Sequence, residues 1–223
     1  MIALPRPGIY LVTDRQQLAP DARTTRDQIV ALESFLDEAI DSGVDVIQIR
    51  ERDLDGGPLF ELVRHVVARA RESSARVLVN DRADVALAAD AHGVHLRADG
   101  PPADRLRALE RVDWIIGQSV HTPSEAQRAS DAGADYVLFG TVFPGGSKGD
   151  LPEGDRITAL RDATRVSRAP VIAIGGIDPA RAARCITAGA AGVAAISIFL
   201  PEGRAPLAIE VRRAIAALRH ALA

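Results

Sequence analysis

Val171-Ile172-Ala173-Ile174-Gly175-Gly176-Ile177-Asp178-Pro179, followed by Thr187-Ala188-Gly189-Ala190-Ala191 and Val193-Ala194-Ala195-Ile196, is the stretch that decides the fold. Its first run is almost continuously apolar, as a parallel strand buried on both faces must be. The glycine pair makes a tight turn, and Asp178-Pro179 supplies a helix cap with proline in the first turn. Gly189 stands where a left-handed residue ends the helix. A second apolar run follows, so the stretch reads as one β-α-β unit.

Working outward, similar runs occur at Ile9–Val12, Val46–Ile49, Val77–Val79, Val94–Leu96, Trp114–Ile116 and Tyr136–Phe139. Between the runs lie helical patterns. Ile29, Leu32, Leu36, Ala39 and Ile40 share one face, as do Leu207, Val211, Ile215 and Leu218. Thr122-Pro123-Ser124-Glu125 offers an N-cap, a first-turn proline and a capping-box glutamate. Asp41-Ser42-Gly43-Val44-Asp45, Asp131-Ala132-Gly133-Ala134-Asp135 and the segment at Gly189 echo one another, as a repeated helix-to-strand unit would. Eight strands alternating with helices predict a single (β/α)8 TIM barrel over residues 1–223. An open doubly wound sheet is the rival, but no Gly-x-Gly-x-x-Gly follows the first run.

Composition narrows the function. The chain has a net charge of −3 with both signs interspersed, and no basic block suits a nucleic acid or a membrane surface. Cys185 is the only cysteine, which excludes a disulfide framework and a cysteine metal site. No signal-peptide pattern opens the chain and no apolar stretch is long enough to span a bilayer. A soluble cytoplasmic protein is expected, and a homodimer is compatible with the sequence.

In such barrels chemistry sits at the C-terminal ends of the strands. Those ends carry Thr13 and Asp14, then Gln48, Arg50, Glu51 and Arg52, then Asn80 and Asp81, then His95 and Arg97, then Ser119 and His121. Next come the loop Gly140–Asp150 with Lys148, then Gly175 and Gly176, then Ile196 and Ser197. Cations and amides outnumber carboxylates, which favours an anionic ligand. The glycine-rich Lys148 loop can wrap a phosphorylated group. Gly175, Gly176, Ile196 and Ser197 fall where these barrels bind phosphate, although Gly-Gly is also an ordinary tight turn.

Gln48 and Arg50 alternate around Ile49, so they face the interior or mouth together, as ligand groups or in a buried ion pair. His121 precedes a capped helix and is either a proton shuttle or a hydrogen-bonding loop residue. His95 reads as support for the floor of the site. Asn80-Asp81 is either part of a divalent-cation site, with Asp99 as second carboxylate, or a salt bridge from Asp81 to Arg82, Arg50 or Arg52.

Seven segments in order, Tyr10–Asp14, Gln48–Arg52, Asn80–Asp84, Gly93–Leu96, Gly117–His121, the Lys148 loop and Ala173–Ile177, resemble the thiamine phosphate synthase/TenI superfamily over almost the whole chain. The resemblance implies a small TIM barrel acting on a thiazole phosphate. It implies two activities to choose between. A synthase joins a pyrimidine methyl diphosphate to thiazole phosphate with Mg²⁺ and releases diphosphate, with Asp81 and Asp99 on the metal. A TenI-type tautomerase aromatises a carboxythiazole phosphate with a histidine and no cofactor.

Three departures from the synthase pattern favour the tautomerase: Arg52 replaces its lysine, Arg97-Ala98-Asp99-Gly100 replaces its Gly-Gln-x-Asp, and Gly145 replaces a threonine. The expectation is an isomerase with His121 as acid and base. Gln48, Arg50, Asn80, Ser119, Lys148, Gly175, Gly176, Ile196 and Ser197 would bind substrate. A ligand-binding regulatory protein without turnover is the third reading.

Overall fold

The computed structural model describes residues 4–108, 113–143, 153–200 and 204–223. Its elements run β1 (Gly8–Val12), α1 (Arg15–Leu18), α2 (Thr25–Asp41), β2 (Val46–Ile49), α3 (Gly56–Ala70), β3 (Arg76–Asn80), α4 (Ala83–Ala88), β4 (Gly93–Leu96) and α5 (Ala103–Arg107). The chain continues through β5 (Ile115–Val120), α6 (Pro123–Asp131), β6 (Tyr136–Gly140), α7 (Glu153–Val166), β7 (Val171–Ile174), α8 (Pro179–Thr187), β8 (Gly192–Ala195), a 3₁₀ turn (Ser197–Phe199) and α9 (Ala208–Leu222). The strands pair in parallel, each with its sequence neighbour, and β8 returns to β1 to close the barrel. The (β/α)8 expectation therefore holds.

Strand alternation divides the core in two. Ile9, Leu11, Ile47, Ile49, Val77, Val79, Val137 and Phe139 face outward and pack with Leu32, Leu36, Leu62, Val66, Ile215 and Leu218 of the helices. Each such leucine or isoleucine, wholly withdrawn from water, contributes about 1.5–3 kcal/mol. Tyr10, Val12, Val46, Leu78, Ile115, Tyr136, Leu138, Ile172 and Ala194 fill the barrel interior. Ile49 is among the outward residues, which turns Gln48 inward and Arg50 toward the mouth.

The three echoing helix ends form the same local structure. Gly43, Gly133 and Gly189 have φ of 83°, 88° and 98°, and the residue after each donates to a carbonyl five positions back. Asp45 and Asp135 then close the strand entries, accepting from the backbone N–H of Ile9 and Ile116 at 2.7 Å. The third copy has Ala191 in that position, which has no carboxylate and bonds through its backbone alone, donating to Val171 and accepting from Gly8.

Two boundary expectations are corrected. β5 runs on to Val120 rather than stopping at Ile116. Gly117 suits its interior because a Cβ there would lie 2.1–2.4 Å from ring atoms and the hydroxyl of Tyr136, which occupy the space. Leu207, placed on the inner face of the last helix, is its N-cap and is 60% exposed. Among the described residues no helix is long and apolar enough to cross a membrane.

Candidate active site

Inward-pointing residues at the strand ends form two hydrogen-bonded chains. In the first, buried Gln48 donates from Nε2 to Asn80 Oδ1 at 2.9 Å, and Asn80 Nδ2 donates to Asp81 Oδ2 at 2.9 Å. Asp81 also accepts from the Arg97 backbone N–H at 3.0 Å, and Arg97 Nε lies 3.0 Å from its second oxygen. The same Nε is 3.5 Å from Asp99 Oδ1. The salt bridge of Asp81 is thus made with Arg97, not with Arg82, Arg50 or Arg52. Arg82 is engaged with Asp84.

In the second chain, His95 sits between Tyr136 Oη and Ser119 Oγ, each 2.8 Å from a ring nitrogen. Burial, with the charge of Arg50 as the lesser cause, pushes the His95 pKa down to about 3. The ring is therefore neutral at physiological pH, with one nitrogen donating and one accepting. His95 holds Ser119 in place, as a floor residue should.

Arg50 does not fill the barrel with an ion pair. Its backbone N–H donates to Thr13 Oγ1 at 2.9 Å, while among the described residues its guanidinium has no hydrogen-bond or ion-pair partner. Burial is the main cause that lowers its pKa, and the Arg52 charge adds to it. The nearby Glu51 is already committed. It accepts from the Arg15 backbone and from Nη1 at 2.9 Å, and both side chains are 3% exposed. Asp53 holds the other arm of Arg15, and that pairing lowers the Asp53 pKa to about 2. Glu51 therefore anchors α1 to the end of β2.

His121 donates from Nδ1 to the Gly140 carbonyl at 2.6 Å, since a carbonyl can only accept. Its backbone N–H donates to Glu125 at 2.6 Å, one residue earlier than a standard capping box would place that bond. Arg156 fastens the same corner through the carbonyls of Thr141 and His121.

The far side of the mouth is made of backbone. Gly175 and Gly176 have φ of 105° and 61°. A Cβ on Gly175 would come 2.3 Å from Thr141 Cγ2, and one on Gly176 would come 2.3 Å from the Phe143 carbonyl oxygen. The Gly175 carbonyl accepts from Phe143 N–H, and that of Gly176 accepts from Arg181 Nη1 at 2.9 Å.

A cavity of about 500 Å³ brings together Gln48, Arg50, Asn80, Ser119, His121, Gly175 and Ile196. Gly176, Ser197, Asp81 and Asp99 stand outside its lining, and Ser197 opens the 3₁₀ turn. Lys148, its loop and Gly145 lie outside the described residues. The cavity also includes Arg52, Gln17, Leu138, Thr141 and Ile174, which were not picked as site residues. Inward alternation at Leu138 and Ile174 is the signal that could have found the two apolar ones. A cavity of similar size at the opposite end, near Trp114 and Asp135, has much of its charge committed: Arg107 pairs with Asp135 and Arg168 with Asp131.

The donor set fits a hard divalent cation. Among the described residues no group of three histidine, cysteine or carboxylate side chains is placed to hold a metal. Mg²⁺, however, commonly uses one or two carboxylates plus substrate phosphates. Asp81 and Asp99 converge on a single atom, Arg97 Nε, so both carboxylates reach toward one point.

Comparison with known proteins corrects the expected activity. Residues 9–199 match the thiamine monophosphate synthase family. The thiamine-phosphate synthase of Haloquadratum walsbyi is 40% identical over 193 residues, covering 84% of this chain and 81% of that protein. That of Haloarcula marismortui is 40% identical over 195 residues, covering 85% and 87%. A solved structure, thiamine phosphate pyrophosphorylase from Pyrococcus furiosus, superimposes with a TM-score of 0.78 at 30% identity, covering 97% of this chain and 95% of that one.

Two of these relatives are named as synthases and the third as a pyrophosphorylase, names of a transferase, so the expectation of a TenI-type tautomerase and isomerase is overturned. The geometry explains the misreading. Arg52 still brings a cation to the cavity, and Asp99 still reaches the point that Asp81 reaches. Two of the three departures therefore leave a cation and a carboxylate near the cavity mouth, and the third, Gly145, lies outside the described residues. The chain belongs to the thiamine monophosphate synthase family.

Proposed function

We propose that this chain is a thiamine-phosphate synthase, joining hydroxymethylpyrimidine diphosphate to thiazole phosphate and releasing diphosphate. The observation that carries this reading is the division of the cavity into two anion-binding ends. One end offers the side chains of Arg50, Asn80 and Ser119; the other offers the backbone at Gly175 and Ile196. Apolar Val12, Leu138 and Ile174 lie in the same cavity and suit the faces of two rings. The names of the relatives point the same way.

The bond chemistry sets what the residues must do. The thiazole nitrogen lone pair forms a C–N bond to the pyrimidine methylene carbon as the C–O bond to diphosphate breaks. The ring nitrogen becomes cationic and the electron pair leaves with diphosphate. No proton has to move, so the protein orients two rings and stabilises departing negative charge.

Arg50 suits that task because a half-buried cation without a partner gains one when the diphosphate arrives. Ser119, held by neutral His95, and the remaining amide hydrogen of Asn80 add donors. Lys148 supplies a further cation. Gln48 sets the Asn80 amide orientation. With the Gly175 and Gly176 carbonyls tied to protein donors, their N–H groups, together with the turn at Ile196 and Ser197, are the groups for the thiazole phosphate. Mg²⁺ held by Asp81, Asp99 and substrate phosphate oxygens would supply positive charge against the leaving diphosphate. His121 has no proton to transfer here and serves as a wall residue fixed to Gly140.

Purified protein given both substrates and Mg²⁺ should form thiamine phosphate and diphosphate in equal amounts. Absence of both products from a correctly folded preparation would sink this reading.

A further inference from the structure

Arg97 occupies the point that the two metal carboxylates share. Its Nε lies 3.0 Å from Asp81 Oδ2 and 3.5 Å from Asp99 Oδ1, and its backbone N–H holds the other Asp81 oxygen at 3.0 Å. Asp81 receives a further bond from Asn80 and sits at φ 59°, a left-handed conformation uncommon outside glycine. The carboxylate is thereby aimed at Arg97 from both backbone and side chain. Yet the contact is open to water: the side chains of Arg97, Asp81 and Asp99 are 50%, 29% and 79% exposed. Pairs this exposed are weak and can exchange.

A divalent cation needs the same oxygens at about 2.0–2.1 Å. A guanidinium hydrogen-bonded to those oxygens would then stand within a few ångströms of a double positive charge. The two cannot occupy the point together.

We propose that Arg97 is an internal competitor for the metal: it neutralises Asp81 and Asp99 in the free protein and must swing away before a divalent cation binds. This rests on the synthase reading only for what the metal later does. The competition itself is a property of the free protein. Metal affinity is then set by how readily an exposed arginine gives up two carboxylates. A substrate phosphate that offers Arg97 another anion would favour loading.

The test is titration of the substrate-free protein with Mn²⁺, following the electron paramagnetic resonance signal of unbound ion. Arg97→Ala and Arg97→Gln should each bind Mn²⁺ at least about fivefold more tightly than the unaltered chain, the equivalent of about 1 kcal/mol. Adding Asp81→Asn to Arg97→Ala should abolish the gain. Affinity that is unchanged or weaker in both single variants, or a gain that survives Asp81→Asn, would overturn the proposal. Since no substrate is present, the titration stands whether or not the product assay detects synthase turnover.

Discussion

The two ends of the cavity offer different kinds of group to an anion. On the β2–β5 side the work falls to side chains: Gln48, Asn80, Asp81 and Arg97 in one chain, Tyr136, His95 and Ser119 in another, with Arg50 between them and unpaired among the described residues. On the β6–β8 side the available groups are backbone, packed so closely that a single Cβ would collide. A side-chain site can lose one donor and keep its shape. A backbone site keeps its donors under most substitutions but loses its shape at once when a glycine is replaced. The first therefore suits the diphosphate, whose charge changes during the reaction, and the second suits a phosphate that only has to be held.

The largest effect should follow from removing the unpaired cation. Arg50→Ala should lower kcat/KM by about 10²–10³, the range for losing one group aimed at charge that develops in the transition state. Arg50→Lys should recover only part, because a point charge lacks the planar fork. A drop below about tenfold would mean that Arg50 does not meet the leaving group. The division of labour would then fail at its strongest member.

Gly175→Ala probes the other end. The added methyl would meet Thr141 Cγ2 at 2.3 Å and its Cα at 2.9 Å, from a backbone at φ 105° that alanine rarely adopts. KM for thiazole phosphate should rise by about 10–10², with KM for the pyrimidine diphosphate within about threefold of the unaltered value, because strain of about 1–3 kcal/mol is confined to the turn. Steady-state kinetics with each substrate varied in turn distinguishes the outcomes. Equal rises in both constants would show that the two ends are not independent.

How much of this could be read in advance also differs between the ends. Val46–Ile49 and Val171–Ile174 were bounded correctly because strands buried on both faces leave unbroken apolar runs. β5 was cut short because Gly117, Gln118 and Ser119 break that run. They belong in the strand because the Tyr136 ring, from the next strand, fills the space beside Gly117. Alternation and the strand-end rule placed Gln48, Arg50, Asn80 and Ser119 at the mouth, and all four line the cavity, because their place depends on local geometry alone. Of the three departures on which the choice between two activities rested, the weightiest was the segment Arg97–Gly100, where Asp99 stands one position away from the expected carboxylate. Spacing along the chain cannot show that a loop brings a shifted carboxylate back to the atom that Asp81 reaches. The same limit hid the Glu51 pairing, whose partner Arg15 is 36 residues away.

A smaller effect tests the interior of the side-chain end. His95 has a pKa near 3 when folded, against about 6.5 for a free imidazole. Between those values the unfolded chain binds a proton that the folded chain refuses, so stability is full above about pH 6.5 and falls as pH drops toward 3. One proton corresponds to at most about 1.4 kcal/mol per pH unit. Denaturant unfolding at pH 6 and pH 5 should show the unaltered protein losing about 1 kcal/mol more than His95→Gln, which cannot take up that proton. Parallel losses in the two proteins would mean that His95 is not held neutral by burial, and the rigid support assigned to Ser119 would go with it.

The smallest effect is expected at His121, on the border between the two ends. Its Nδ1 hydrogen is spent on the Gly140 carbonyl, and C–N bond formation from a thiazole lone pair removes no proton. His121→Ala should therefore change kcat by no more than about threefold, well below the 10²–10⁴ contributed by a working acid or base. The kcat profile between pH 6 and pH 8 should keep its shape in the variant. A loss of 10² or more, with a limb of that profile removed, would show a proton transfer in the rate-limiting step. His121 would then join Arg50 on the reacting side of the cavity, and the border between the two ends would move from β5 to β6.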